Sequence, residues 1–133
     1  MKKIEHIGIA VKSIEEANKT FAKIFGKEHY KIEEVKSEGV KTSFFSVGES
    51  KIELLEAKNQ ESPIAKFISK RGEGMHHIAF YVDDIEKEME RLKENGFQFI
   101  RENYTKGADN KLICFLHPKQ TNGVLIELCQ EQP

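Results

Sequence analysis

The chain has 133 residues, of which 38% are hydrophobic and 32% are charged, and its formal net charge is -1. This length suits one domain, or two small modules with a shared core. The balanced charge gives no indication of the basic face that nucleic-acid-binding proteins usually need. The longest apolar runs are strand-sized, so none can span a bilayer. We therefore expect neither a nucleic acid nor a membrane as a partner.

The first residues show no secretory signal, because Met1-Lys2-Lys3 is followed by a short apolar run that Glu5 and His6 interrupt. Without such a signal, Cys114 and Cys129 are expected to be free, reduced thiols rather than a disulfide. We accordingly expect a cytoplasmic protein.

The first half of the chain predicts a strand, a helix and three further strands. Residues 2–11 alternate between two faces, as a strand does. Ser13 and Glu16 form a capping box in front of a helix that stops at Gly26, a residue suited to the left-handed turn that ends helices. The three strands are expected at these positions: about 28–36, 40–47 and 51–57.

The second half repeats this order after a short helical linker, about 62–72, which Ser62-Pro63 begins. A strand at about 74–82 is followed by a helix that Asp83 or Asp84 caps and that ends at Gly96. Three more strands are then expected at these positions: about 97–102, 111–117 and 123–130.

The predicted fold class is α+β, with two tandem βαβββ modules. The modules cover about 2–60 and 73–131, and together they make up a single domain, 1–133. A repeat of this length indicates a duplicated module rather than a solenoid.

The duplication is visible in the residues themselves. Moving one copy along by 71 positions places His6-Ile7 on His77-Ile78. A second similarity pairs Lys51-Ile52-Glu53-Leu54 with Leu125-Ile126-Glu127-Leu128. Each half therefore supplies one histidine and one glutamate.

Strand periodicity predicts where these polar side chains point. In strand 74–82, Phe80 and Val82 share the apolar face with His76, whereas His77 lies on the opposite face. The same alternation turns the glutamates away from their apolar neighbours. We expect the four side chains on the open face opposite the main core, where pseudo-twofold packing of the modules would bring them into one cleft.

Two imidazoles and two carboxylates suit a divalent first-row ion such as Zn, Co, Ni, Mn or Fe. Positions left open on the ion would accept a substrate with two oxygens, and the ion would act as a Lewis acid. A carbon acid next to a carbonyl then loses its proton more easily, and a nearby carboxylate can move that proton. Taken singly, each residue is more often a surface or core residue, and the repeat is what favours a metal site.

The doubled layout with His…Glu…His…Glu resembles the vicinal oxygen chelate superfamily, which includes glyoxalases, extradiol dioxygenases and epimerases. Within it, the chain is similar to the family of methylmalonyl-CoA epimerases. Three strings carry this resemblance, which covers Ile4 to Gln130: Glu61 to Phe67, Gly74 to Ile78, and Phe115 to Lys119 followed by Gly123 to Leu128.

The resemblance implies that the two modules form a curved mixed sheet around a metal-binding cleft, and it also implies the site and the reaction. His6, His77 and Glu127 match metal ligands, and Glu53 falls where the family places its remaining ligand. The reaction would interconvert the (2R) and (2S) forms of methylmalonyl-CoA, a small-molecule acyl-CoA substrate, by removal and return of the C2 proton. The implied cofactor is a divalent metal ion, Co2+ first and Zn2+, Ni2+ or Mn2+ as alternatives, and the implied assembly is a homodimer.

The proton-transfer groups are only partly assigned. Thr42 lies where certain relatives carry an acidic base, and a threonine hydroxyl is no base at neutral pH without an activator. Glu127 is therefore the predicted catalytic residue. Glu53, Glu38 and a bound water stay open as the second group.

His117 and Lys119 are candidates for binding the substrate carboxylate or a CoA phosphate, with a solvated turn as the alternative. His76 is expected to be structural and His29 to lie on the surface. Two other functions stay open: a glyoxalase (lactoylglutathione lyase), and a non-catalytic small-molecule-binding protein of the same superfamily.

Overall fold

The computed structural model describes residues 1–132, which form three α-helices and eight β-strands. The helices are α1 Ile14–Phe25, α2 Pro63–Arg71 and α3 Ile85–Glu94. The strands are β1 Lys3–Ala10, β2 Lys31–Val35, β3 Val40–Val47, β4 Ser50–Ala57, β5 Gly74–Tyr81, β6 Thr105–Lys106, β7 Lys111–Phe115 and β8 Ile126–Glu131. The predicted βαβββ order is present twice, which confirms the predicted α+β fold class.

The chain divides into two compact units. One is His6–His76, and the other joins Met1–Glu5 to the chain from His77 onward. In the first unit the strand order is β2-β3-β4-β1, with β1 and β4 parallel and the other pairs antiparallel. In the second unit the order is β5-β8-β7-β6, with β5 and β8 parallel and the other pairs antiparallel. Each unit therefore contains a mixed sheet with one parallel pair.

The first helix begins and ends as its residues predict. The Ser13 Oγ accepts a hydrogen bond from the Glu16 amide at 3.2 Å, and Gly26 adopts a left-handed φ of 71°. The last strand of the module adds a second cap, because Glu56 Oε1 accepts from the Ile14 amide at 2.7 Å. These bonds satisfy amides that have no partner within a helix.

The second module repeats this arrangement. Asp84 caps α3 by accepting from the Lys87 amide at 3.2 Å, which decides between the two predicted capping residues. Gln130 Oε1 accepts from the Ile85 amide at 2.8 Å, as Glu56 does in the first module. The helix ends at Glu94, two residues before the predicted Gly96.

Each unit packs apolar side chains on both faces of its sheet. On the helix side the buried residues are Val11, Ile14, Phe45 and Leu54 in the first unit, and Val82, Ile85, Met89, Leu92, Cys114, Leu116 and Leu128 in the second. On the opposite side, the buried residues of the first unit are Ala10, Val40, Leu55 and, from α2, Ile64. Those of the second unit are Ala79, Ile113 and Cys129. The second pair of clusters shows that the face expected to be open is also well packed.

The predicted strand at 97–102 is wrong. Only a single bridge, between Phe99 and Leu116, forms there, and the two-residue β6 at Thr105–Lys106 pairs with β7 instead. Phe97 and Phe99 still pack on the α3 cluster, so their apolar pattern reflects burial. The Gln98 amide donates to the Gln120 side chain at 2.7 Å, which replaces a strand partner.

Strand β8 begins at Ile126 rather than 123, because the left-handed Asn122 and Gly123 form a turn before it. In the described part of the chain, Cys114 and Cys129 form no disulfide, in agreement with the predicted free thiols, and both are buried. Within residues 1–132, no helix is both long and apolar enough to cross a membrane.

Candidate active site

The first unit places a histidine against a glutamate. His6 Nδ1 lies 3.1 Å from Glu53 Oε2, and each side chain is only 6% exposed. The contact follows from the parallel pairing of β1 and β4, in which Gly8 stands opposite Glu53. Since Gly8 is two residues after His6, both side chains lie on the same face of the sheet.

The second unit contains the same pair. His77 Nε2 lies 3.1 Å from Glu127 Oε1, and each side chain is again 6% exposed. Strands β5 and β8 are parallel, and Glu127 stands opposite Ala79, two residues after His77. The Phe115 ring meets the His77 ring edge-on, with 5.8 Å between their centroids. The histidine-to-glutamate offset is therefore identical in the two modules.

The predicted strand phase is confirmed, and the four polar side chains are more deeply buried than the alternation indicates. Leu54 and Leu128, next to the two glutamates, are fully buried on the helix side. The polar residues face the other way, yet they are buried as well: His6, Glu53, His77 and Glu127. Small and apolar neighbours, among them Ala10 and Ala79, close this face more than alternation alone predicts.

Buried carboxylates are costly unless a positive group or hydrogen bonds compensate them. Each pair also has the spacing of two ligands on one ion. Nitrogen and oxygen ligands bind a first-row ion at about 2.1 Å, so two of them at a right angle lie about 3 Å apart. The observed 3.1 Å agrees in both pairs. The donor types and their spacing thus fit a divalent metal ion.

Thr42 lies on the same face as Glu53. In the antiparallel pairing of β3 and β4, Phe44 stands opposite Glu53 and Thr42 stands opposite Leu55. The Thr42 side chain is almost fully buried. The half-buried Glu38 belongs to a 3-10 turn, Lys36–Glu38, that precedes β3.

His117 and Lys119 lie beyond the end of β7. His117 is half-buried, and its amide donates to the Gln98 carbonyl at 3.0 Å. Among residues 1–132, its Nδ1 has no hydrogen-bond partner. Lys119 is exposed in a 3-10 turn, Pro118–Gln120. Their role in substrate binding stays a prediction.

The two other histidines pack against rings. His76 meets Phe67 edge-on with 5.0 Å between centroids, in keeping with a structural role. His29 was expected on the surface but is half-buried, with its ring 6.1 Å from that of Phe45. The short segment between α1 and β2 brings it back over the α1 cluster.

Sequence reasoning missed two buried charged residues, Glu5 and Lys111. Lys111 Nζ lies 3.6 Å from Asp109 Oδ2 and 3.7 Å from Glu131 Oε1. Strand alternation could have indicated its burial, because Lys111 and Ile113 are two residues apart and lie on the same face of β7, where Ile113 is buried.

The cysteines do not provide a nucleophile. Burial, together with the negative charge of Glu127, raises the pKa of the Cys114 thiol to about 12. Cys129 is fully buried, and its thiol donates to the Phe80 carbonyl at 3.6 Å. A thiol with a raised pKa is protonated at neutral pH and reacts slowly.

Two βαβββ modules with mixed sheets, each holding one buried His–Glu pair, define the glyoxalase-like class of proteins. Residues 5–115 match the family model of the glyoxalase/bleomycin resistance protein/dioxygenase superfamily, and the chain belongs to this superfamily.

Its relatives include methylmalonyl-CoA epimerases. The chain is 38% identical to an ethylmalonyl-CoA/methylmalonyl-CoA epimerase of Cereibacter sphaeroides, over 96% of this chain and 97% of that one. It is also 38% identical to an uncharacterised protein of Bacillus subtilis, over 98% and 93% of the two chains. A variant of the methylmalonyl-CoA epimerase of Streptomyces coelicolor, solved with 2-nitronate-propionyl-CoA, is 30% identical with a TM-score of 0.94, over 98% and 95%.

Proposed function

We propose that this protein is a methylmalonyl-CoA epimerase, which interconverts (2R)- and (2S)-methylmalonyl-CoA by removing and returning the C2 proton. One observation carries the proposal: each module holds a buried His–Glu pair at 3.1 Å, with the same strand offset. The epimerases among the relatives supply the substrate class, an acyl-CoA.

We further propose that His6, Glu53, His77 and Glu127 are the ligands of one divalent metal ion, Co2+ first and Zn2+, Ni2+ or Mn2+ as alternatives. The support is the repeat of the pair and the fit of its donors and spacing. When bound, such an ion stabilises the negative charge that develops when a carbon acid next to a carbonyl loses its proton.

Glu127 is the proposed proton acceptor at C2. Its carboxylate lies beside His77 on a face lined by Ala79, Ile113 and Phe115, which limit the access of water. A poorly hydrated carboxylate competes better for a proton than a solvated one, because burial disfavours its charged form. To accept the C2 proton, a Glu127 Oε atom has to lie within hydrogen-bond reach of C2 in the bound substrate.

The second proton-transfer group donates a proton of its own to the other face of the planar intermediate, while the proton taken from C2 stays on Glu127 and later exchanges with solvent. Glu53 is one candidate, since it occupies in the first module the place of Glu127 in the second. Glu38 and a bound water are the others. Thr42 is not among them, because its hydroxyl is a weak acid and no base at neutral pH.

A coupled assay tests the reaction. Purified protein loaded with Co2+ is given (2S)-methylmalonyl-CoA, and the (2R) form is measured with an enzyme that consumes only that form. We expect metal-dependent conversion and no turnover of methylglyoxal with glutathione. Activity only on the hemithioacetal of methylglyoxal would show a glyoxalase instead. Binding without turnover of either would show a non-catalytic binding protein. The predicted homodimer is tested separately, by sedimentation of the purified protein.

A further inference from the structure

Helix α2 packs on the sheet face that carries His6 and Glu53. One cluster joins apolar side chains of the helix and of the sheet: Ile64, Phe67, Ile68, Ala10 and Leu55. Ala10 alternates in phase with His6 along β1, and Leu55 with Glu53 along β4. Within the unit His6–His76, α2 therefore borders the candidate site.

Lys66 and Lys70 lie on the side of α2 away from this cluster, whereas Arg71, the last residue of the helix, lies in phase with Ile64 and Phe67. Lys66, Lys70 and Arg71 are exposed, and the helix contains no acidic residue. Lys66 and Lys70 are four residues apart and so lie next to each other, where like charges weaken a helix. The helix dipole favours positive charge in the last turn, which accounts for Lys70 and Arg71. It does not account for Lys66, nearer the start of the helix.

The position of these charges suits a long substrate with a distant anionic end. Glu53 and Leu55 are roughly 7 Å apart along β4. A helix with its side chains adds about 10 Å, so the outer side of α2 lies on the order of 15 Å from the His6–Glu53 pair. The reacting carbon of an acyl-CoA is likewise separated from its phosphates by the extended pantetheine arm.

We propose that Lys66, Lys70 and Arg71 bind the phosphate groups of the CoA part of the substrate. The inference rests on the proposed function, which supplies an acyl-CoA. The lysine ammonium groups act as point charges, and the arginine guanidinium offers a planar fork that matches phosphate oxygens. The Phe67 ring lies 5.8 Å from the Arg71 Cζ, so it restricts where this guanidinium can move.

The kinetic test compares two substrates. Methylmalonyl-CoA carries the phosphates, and methylmalonyl-pantetheine has the same reacting group without them. In the Lys66→Glu/Lys70→Glu variant we expect KM for methylmalonyl-CoA to rise roughly tenfold or more, with kcat unchanged. Activity on methylmalonyl-pantetheine should stay at the wild-type level. The charge-preserving Lys66→Arg/Lys70→Arg variant should behave like wild type.

Lys23→Glu is the matched control. Lys23 is exposed in the last turn of α1, which packs on the opposite face of the sheet. The substitution changes the charge of a helix without touching the proposed site, and its KM should equal that of wild type. A KM that rises equally in Lys23→Glu and in the α2 variant would overturn the proposal, since general charge would then explain both.

Direct binding of coenzyme A, measured by calorimetry, separates this inference from the proposed activity. Wild type should bind coenzyme A more weakly as salt rises, and the α2 variant should lose roughly tenfold or more in affinity. Equal affinity of wild type and variant, or no binding at all, would overturn the phosphate site even if epimerisation is found. A loss of affinity only in Lys119→Glu would place the phosphates at the other candidate. Binding through α2 without epimerisation would retain the site and overturn the proposed function.

Discussion

His77 and Glu127 come together because their strands are parallel neighbours: Glu127 pairs with Ala79, the second residue after His77. The two side chains then lie on one face, with 3.1 Å between Nε2 and Oε1. An isolated carboxylate buried to this extent would favour its protonated form. The His77 imidazole lies next to the Glu127 carboxylate, which supports the proposal that the two groups bind the same metal ion.

Replacing either histidine should remove the metal. We expect His6→Ala and His77→Ala each to lose the divalent ion and the activity, while circular dichroism shows a folded protein. Loss of one ligand from the proposed four-ligand site would remove a large part of the free energy of metal binding. Metal content after gel filtration measures this.

His76→Ala is the matched control for His77→Ala, because His76 points to the other face of β5 and packs on Phe67. It should retain its metal. A His77→Ala protein with full metal content and full activity would remove His77 from the site.

The Thr42 hydroxyl should be dispensable. Thr42→Val keeps the shape of this buried side chain and removes its hydroxyl. Since the hydroxyl is not a base at neutral pH, we expect kcat to change by no more than about threefold, far less than the hundredfold or more that loss of a general base causes. A fall of that larger size, in a folded variant, would assign Thr42 a part in proton transfer.

The Cys114 thiol should resist modification at mild pH. Its pKa is raised to about 12, mainly by burial. The native protein should therefore react with thiol reagents at pH 8 far more slowly than the unfolded protein, in which the thiol ionises near pH 9. Rapid labelling of native Cys114, identified by mass spectrometry, would contradict its buried position.

The same pKa difference predicts how stability changes with pH. Well below pH 9 the thiol is almost fully protonated in both states, so it has little effect on the pH dependence there. Between about pH 9 and 12 the unfolded chain loses this proton and the native protein keeps it. The free energy of unfolding should fall with rising pH in this window, and less steeply in Cys114→Ala, as urea unfolding at several pH values would show.

Glu56 and Gln130, in the last strand of each module, cap the first turns of α1 and α3 and should contribute to stability but not to catalysis. Gln130→Ala removes the bond to the Ile85 amide and should lower the free energy of unfolding by about 1 kcal/mol. Glu56→Ala should have a similar effect through the Ile14 amide. Urea unfolding measures both, and unchanged stability in both variants would contradict the capping role.

Much of this architecture is predictable because local signals and burial agree. Ser13 and Gly26 bound α1 where their chemistry requires, and alternation places Glu127 opposite to Leu128. The predicted strand at 97–102 fails because the half-buried Phe97 and Phe99 resemble a strand pattern, although only one bridge forms there and the Gln98 amide donates to the Gln120 side chain.

The burial of the polar face was not predictable from alternation. Period-two patterning tells which side chains share a face, but the packing of α2 and of the cluster around Ala79 determines how closed that face is. Lys111 was missed for the same reason, since a lysine in a strand is usually solvated, and its carboxylate partners come from a turn and a neighbouring strand.

Exchange of the C2 proton with solvent tests the central claim most directly. Protein loaded with Co2+ is mixed with (2R)-methylmalonyl-CoA in heavy water, and the C2 proton is followed by NMR. We predict metal-dependent loss of this signal by the wild-type protein, and a rate about a hundredfold or more lower for Glu127→Gln. No exchange by wild-type protein that holds its metal, or full exchange by Glu127→Gln, would contradict the account.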